Sequence, residues 1–415
     1  MNTTTTFPLL NAINELETHF DFQAIAKAKL QETGLPTVRD EAWRFTDIRA
    51  LNQLDLPVAS ADTEFEDTDK WWSKGIVNAV TVPYVNGDFD INAKLPEGVK
   101  LYTCNTAPEE LKSQIGSALT DDKTPFVDLN HVLAKKVMIL HVSKNADVSR
   151  VIHIKGITSA DVQVHPRILV IAESFSRVQI VETWQGPAAS RYLVNPLSEF
   201  VVNAGAIVSH TKLQDDSKTA FHIASIFVKQ YGDSQYINHA VQFGAHVGRN
   251  DIVAELAASN SVCTLNGLYL PTAKQIHDTH SLVHHAMPHC ESHELYKGAL
   301  SEKGQGVFNG AIYVHKDAQK TNAYQTNRAL LLSDNAKVNT KPQLEIYADD
   351  VRCSHGATIG QLDKQAMFYL QSRGLDPEVA KAMLTVAFTA EAIADMPEVE
   401  LRDVIDDMLI EHFSN

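Results

Sequence analysis

The sequence predicts a mainly β chain with helices at its two ends, and three observations carry that expectation. From about Val80 onward, short β-branched runs broken by Gly, Asn, Asp and Ser follow one another: VTVPYVNGDF, KVMILHV, RVIHIKGI, RILVIAES, RVQIVETW, EFVVNAGAIVSH, AFHIASIFVKQYG, AHVGRNDIVAEL, SVCTLNGLYLP and GVFNGAIYVH. Most are separated by no helical stretch, so the region reads as all β rather than as a doubly wound α/β sheet. Two segments also align with each other, Leu265-Asn266-Gly267-Leu268-Tyr269-Leu270 with Phe308-Asn309-Gly310-Ala311-Ile312-Tyr313-Val314. This is expected of a repeated coil whose stacked strands bury an inner face while Asn-Gly turns the corner. Helical spacing is the third observation, before and after the strands. Pattern alone leaves a β-solenoid and a β-sandwich both open.

At the start, Leu9, Leu10, Ile13, Leu16 and Phe20 recur three and four residues apart and AIAKAKL follows, predicting a small helical domain. Residues 61–69, ADTEFEDTD, read as an acidic solvated linker. Helical spacing returns after Gly360, where QLDKQAMFYLQSRG carries Leu362, Ala366, Phe368, Tyr369 and Leu370 and stops at Gly374, a suitable left-handed C′ residue. Asp376-Pro377 then supplies an N-cap and a first helical position for EVAKAMLTVAFTAEAIADM. A last segment opens at Pro397 and places Leu401, Val404, Ile405, Met408, Leu409 and Phe413 on one face.

With 415 residues, 44% of them hydrophobic, the chain can bury a large core in two or three domains. A formal net charge of −15 argues against nucleic-acid and anionic-membrane surfaces, which need clustered Lys and Arg. The four cysteines, at 104, 263, 290 and 353, form no C-x-x-C pair, so neither a disulfide framework nor a four-thiolate cage is written here, and a reducing cytoplasm is expected. The first 20 residues have neither a basic n-region nor an apolar h-region, and no window reaches the ~18 apolar residues of a membrane span. There is no G-x-x-x-x-G-K-[ST] loop, G-x-S-x-G elbow or G-x-G-x-x-G turn, so no catalytic motif is expected in this chain.

One stretch brings a thiol and an imidazole together. In KPQLEIYADDVRCSHGATIG, residues 341–360, Cys353 and His355 stand two apart at the end of a strand-like run. Such residues share one face of a strand about 6.6 Å apart, near enough to serve one metal or sulfur site, and Gly356 would let the chain leave. His355 is the first candidate ligand and Cys353 the second, its value depending on whether the thiol is buried or faces outward. The concentration of His277, His280, His284, His285, His289 and His293 around Cys290 is denser. Alternation places His277 and His280, and likewise His284 and His285, on opposite faces, so no single cage is expected there. Cys104 and Cys263 read as boundary and core residues.

The string TKPQLEIYADDVRCSHGATIGQLDKQAMFYLQSRGL, residues 340–375, resembles the C-terminal signature of the SufB/SufD family of SUF iron–sulfur cluster assembly proteins, in its SufD wording. GVFNGAIYVHKDAQKTNAYQTNRALLL (306–332) is similar to the family's FNG-x-I-x-V and QKT-x-x-x-Q-x-N segments, HDTHSLVHH (277–285) to its D-T-H segment, and EAWRFTDI (41–48) to its E-x-W-R-[FY]-T word. The resemblance spans nearly the whole chain. It implies a right-handed parallel β-helix core over 81–357, between an N-terminal helical domain with its acidic linker, 1–80, and a C-terminal helical domain, 358–415, that docks the ATPase SufC. It further implies a non-enzymatic scaffold that pairs with SufB through the β-helix end and supports iron acquisition. His355, with Cys353 second, would then meet SufB across an interface holding a nascent iron–sulfur cluster or iron. A flavin is a possible guest of the assembled complex, with no residue assigned to it, and a homodimer would stand in for the SufB pair in isolation. Two alternatives stay open: a purely structural partner of SufB whose Cys353 and His355 only pack, and a carbohydrate-active β-helix, for which Asp349-Asp350 is the nearest acidic pair and to which the cytoplasmic reading is opposed.

Overall fold

The computed structural model describes residues 7–14, 21–60, 70–122 and 124–414. Leu16, Phe20 and the acidic run 61–69 lie outside them. Two long sheets, of ten and eleven strands, face each other as the walls of a flattened β-solenoid. Successive strands alternate between the walls, and neighbours within a wall are parallel and in register. One wall runs through Gln235–Gln242, Val262–Tyr269, Glu291–Leu300, Asn322–Leu331 and Arg352–Gly360. The other runs through Val247–Leu256, Ile276–His285, Gln305–Val314 and Lys337–Ile346. Among the described residues, antiparallel pairs occur only where the coil begins, Ala79–Val85 with Asp88–Phe89 and Val99–Thr103 with Val137–Val142.

Alternation along each strand sends every second side chain into the lumen. Val178, Val208, Tyr236, Cys263 and Tyr296 fill it, so Cys263 is a core residue. At six strands of the first wall the corner is turned by a residue in the left-handed region two positions before the strand: Phe175, Asp233, Asn260, His289 and Lys320, with Gly205 in the same role. Asn-Gly does not do this. Asn266-Gly267 and Asn309-Gly310 lie mid-strand, in different walls, so their alignment is not that of successive coils. What these glycines supply is room, since a Cβ at Gly267 would stand 2.3 Å from the Tyr296 ring and one at Gly310 2.4 Å from Gln325 Nε2.

The outer faces are covered by the helical ends. Leu30, Trp43, Phe126 and Leu129 pack on Leu193, Phe221, Ile223 and Val247 outside the eleven-stranded wall. Helix Pro125–Leu133 thus lies within the stretch read as all β. It has only nine residues, too few turns for its helical period to stand out from a short apolar run such as a buried strand. On the other wall, Leu401, Ile405 and Leu409 of helix Val399–Ser414 pack with Trp72 against Val181, Leu213, Val241 and Leu268. Lys297, buried, donates to the Phe388 carbonyl at 2.7 Å and pairs with Glu391, tying the C-terminal helices to the coil. The caps read from sequence are in place: Gly374 has φ +90°, and Asp376 accepts from the Glu378 N–H at 2.9 Å.

Candidate site at the open coil end

The last coil has no successor. Lys337–Ile346 and Arg352–Gly360 terminate their walls, so each presents an edge without a strand partner among the described residues. Register decides which side chains point inward here. Val338, Thr340, Pro342, Leu344 and Ile346 align with Gly306, Phe308, Gly310, Ile312 and Val314, and Cys353, His355, Ala357 and Ile359 align with Ala323, Gln325, Asn327 and Ala329. These positions are core in every earlier coil. At the end they are the floor of an open mouth, and Ile346 and Ile359 are 40% and 45% exposed. Pro342 sits in a strand interior, which is tolerated only on an edge.

Cys353 and His355 share this inward face. The strand does not leave at Gly356 as expected; it continues to Gly360, because neither glycine is needed for a turn or a close approach. His355 is exposed at the mouth. Cys353 is half-buried against the small cluster of Ile312, Val314, Ala318, Ala323 and Ala348. Burial pushes its thiol pKa up, and a backbone hydrogen bond from Ala323 offsets part of that, so the thiol stays protonated at neutral pH. Asp350 is engaged by Lys320, through both an ion pair and the Lys320 N–H to its carbonyl at 2.6 Å.

The histidine-rich coil is dispersed by the fold. His277 and His285 point into the lumen, where burial lowers them to about 4 and about 3, and they bond the Gly244 carbonyl and Ser292 Oγ, each at 2.8 Å. His280 and His284 point outward to Asp278 and Asp122, at 3.1 and 3.0 Å. His289 turns a corner at φ +62°. His293 stacks on Tyr324. Among the described residues no three His, Cys, Asp or Glu side chains converge as a metal cage. Cys290 is buried, and Cys104 half-buried, its thiol raised by burial.

Sequence reading passed over two lumen residues beneath the mouth, Glu294 and Gln325. The signal was the period of two in ESHELYKGAL and NAYQTNRALL, which puts Glu294 on the face of Ser292 and Tyr296, and Gln325 on that of Ala323 and Asn327. A second free surface lies on the C-terminal helices. Lys364–Ser372 buries no residue, and Phe368, Tyr369, Val379 and Met383 are exposed, Phe368 by 72%.

Fold and site together define a β-helical protein with a thiol and an imidazole side by side on an unpaired coil end. Residues 155–388 match the family described as SUF system FeS cluster assembly, SufBD core domain, and residues 16–154 match the SufBD protein N-terminal region. The chain belongs to the SufBD family of the SUF iron–sulfur cluster assembly system. It is 32% identical to the iron–sulfur cluster assembly SufBD family protein slr0076 of Synechocystis, over 89% of this chain and 85% of that one. It is 32% identical to protein ABCI7, chloroplastic, of Arabidopsis thaliana, over 90% and 82%. To the iron–sulfur cluster assembly protein SufD of Escherichia coli it is 29% identical, over 88% and 86%. No helix among the described residues is long and apolar enough to cross a membrane.

Proposed function

We propose that this chain is a SufD-type scaffold subunit that pairs with a SufB partner through the open coil end, and that His355, with Cys353 beside it, contributes ligands to a nascent iron–sulfur cluster or iron held at that junction. The cluster is cargo. The observation that carries the reading is the mouth itself: two unpaired parallel edges, core positions left uncovered, and an exposed imidazole two residues from a thiol on the same face. Edges of this kind seek a partner strand, and a second β-helix stacked end to end would satisfy both walls at once. A neutral imidazole binds iron, and one nitrogen ligand beside sulfur donors holds a cluster less firmly than four thiolates, which suits cargo that must be handed on.

The ATPase SufC is assigned to the C-terminal helices, whose exposed Phe368, Tyr369, Val379 and Met383 form an apolar face while helix Val399–Ser414 is committed to the coil. The chain then acts as a lever and a ligand donor rather than as a catalyst. No residue is assigned to a flavin. Co-expression of this chain, wild type or His355→Ala, with its cognate SufB and SufC, followed by anaerobic purification and measurement of iron and sulfide per complex, tests the reading. An intact variant complex with far less cluster supports it. An intact variant complex with the wild-type load shifts the chain to a purely structural role, a role consistent with the protonated, half-buried Cys353.

A further inference from the structure

Parallel strands in register stack like positions about 4.8 Å apart along the coil axis, so the lumen side chains of one wall form columns. One column ends Glu294, Gln325, His355, for Glu294 is aligned with Gln325 and Gln325 with His355. The first two are sealed, at 4% and 1% exposure. Ser281 Oγ donates to Glu294 Oε2 at 2.5 Å, and Gln325 Nε2 donates to Glu294 Oε1 at 3.2 Å. The Gln325 amide thus turns its nitrogen toward Glu294 and its oxygen away, the orientation that the ionised carboxylate, an acceptor only, requires. Gly310 makes the space this needs, since any Cβ there would meet the amide. Gln325 Oε1 is left buried, with no hydrogen-bond partner among the described residues. An unsatisfied buried acceptor is destabilising, and the next side chain in the column, not hydrogen-bonded to it in this structure, carries a ring N–H.

We infer that Gln325, oriented by Glu294 and Ser281, is the positioning residue for His355: its Oε1 accepts one imidazole N–H and thereby fixes the tautomer, so that the other ring nitrogen faces out of the mouth toward the cargo. A neutral imidazole has one donor nitrogen and one acceptor nitrogen, and the hydrogen bond made by the first decides which one is free to ligate. An amide oxygen suits the task because it accepts without taking the proton. The Q-x-N part of the QKT-x-x-x-Q-x-N segment thereby gains a role, distinct from packing. The inference rests on the reading of His355 as a ligand.

The test uses the full chain labelled with 15N-histidine, in which the ring signals of His355 are assigned by their loss in His355→Ala and two-bond proton–nitrogen correlations report the tautomer. Wild type is expected to show one tautomer, Gln325→Met a mixture, and Glu294→Leu, which frees the amide while keeping the core apolar, a mixture as well. Glu294→Gln keeps an oxygen for the Gln325 amide and should restore the single form. In complexes with cognate SufB and SufC, Gln325→Met should retain roughly ten-fold less cluster, the scale on which residues that orient a metal ligand act. A single wild-type tautomer in Gln325→Met overturns the inference, and so does an unchanged cluster load where His355→Ala lowers it. If His355→Ala itself keeps the full load, the ligand reading has failed and the positioning role falls with it, while the tautomer shift shows that the column alone was read correctly.

Discussion

Trp43 lies under the guanidinium of Arg249, which sits 3.9 Å from the ring centroid. Arg249 is fully buried and joins two distant words of the sequence. Its Nη1 donates to the Ala42 carbonyl at 2.7 Å and to Asp278 Oδ2 at 2.8 Å, while Nε and Nη2 grip Asp251 at 2.9 and 2.7 Å. Thr46 Oγ1 donates to the same Asp278 oxygen at 2.6 Å. The E-x-W-R-F-T word of the N-terminal segment is thus bound to the D-T-H word of the coil through one arginine. Removing one partner of such a buried cluster strands the opposite charges, so Arg249→Met is expected to cost roughly 3–5 kcal/mol in urea unfolding, and a loss below ~1 kcal/mol would sink this account. Adding Asp278→Asn should recover part of the loss.

Glu294 gives a pH dependence with a definite sign. Burial raises its pKa from 4.5 to about 7, against the smaller opposing effect of its bonds from Ser281 and Gln325. A carboxyl whose folded value lies above its unfolded one is most compatible with folding below the unfolded value, and stability falls as pH rises through the folded value. Glu294→Gln should therefore match wild type near pH 4.5 and become increasingly more stable up to about pH 7, the gap there being on the order of 3 kcal/mol at most. Thermal unfolding of both proteins across that range checks it; a constant difference would refute the assignment.

The open mouth predicts self-association of the isolated chain. Ile359→Lys places a charge on the exposed inward face of the last strand, so analytical ultracentrifugation should show wild type shifting toward dimer with concentration and the variant staying monomeric. A wild type that is monomeric at every concentration argues that the edges are guarded.

Phe368→Ala with Tyr369→Ala should separate docking from folding. Neither side chain is buried, so stability should change by less than about 0.5 kcal/mol, whereas truncating two aromatic anchors should weaken capture of cognate SufC by roughly 30-fold in a titration. Unaltered SufC affinity would move the docking surface elsewhere.

Native alkylation with iodoacetamide, read by mass spectrometry, should leave Cys263 and Cys290 untouched while Cys353 reacts slowly at pH 7 and faster as pH rises, because its thiol is raised but reachable. Labelling of Cys263 as fast as Cys353 would contradict a closed lumen.

Period-two strands, helical ends, the caps at Gly374 and Asp376 and the pairing of Cys353 with His355 on one face were all legible in the sequence, because each depends on local geometry that neighbouring residues determine. Helix Pro125–Leu133 was not, since nine residues are too few turns to tell a helix from a short buried strand by period. Nor was the corner device. Residues as unlike as Phe175, Asp233, His289 and Lys320 hold the left-handed turn, because stacking between coils, more than intrinsic preference, sets that backbone. Which side chains the last coil leaves uncovered, and that Glu294 and Gln325 stand in line beneath His355, follow from register between strands some 30 residues apart in the chain. Spacing along a strand can be read from the sequence itself, whereas alignment across strands exists only once the coil has closed.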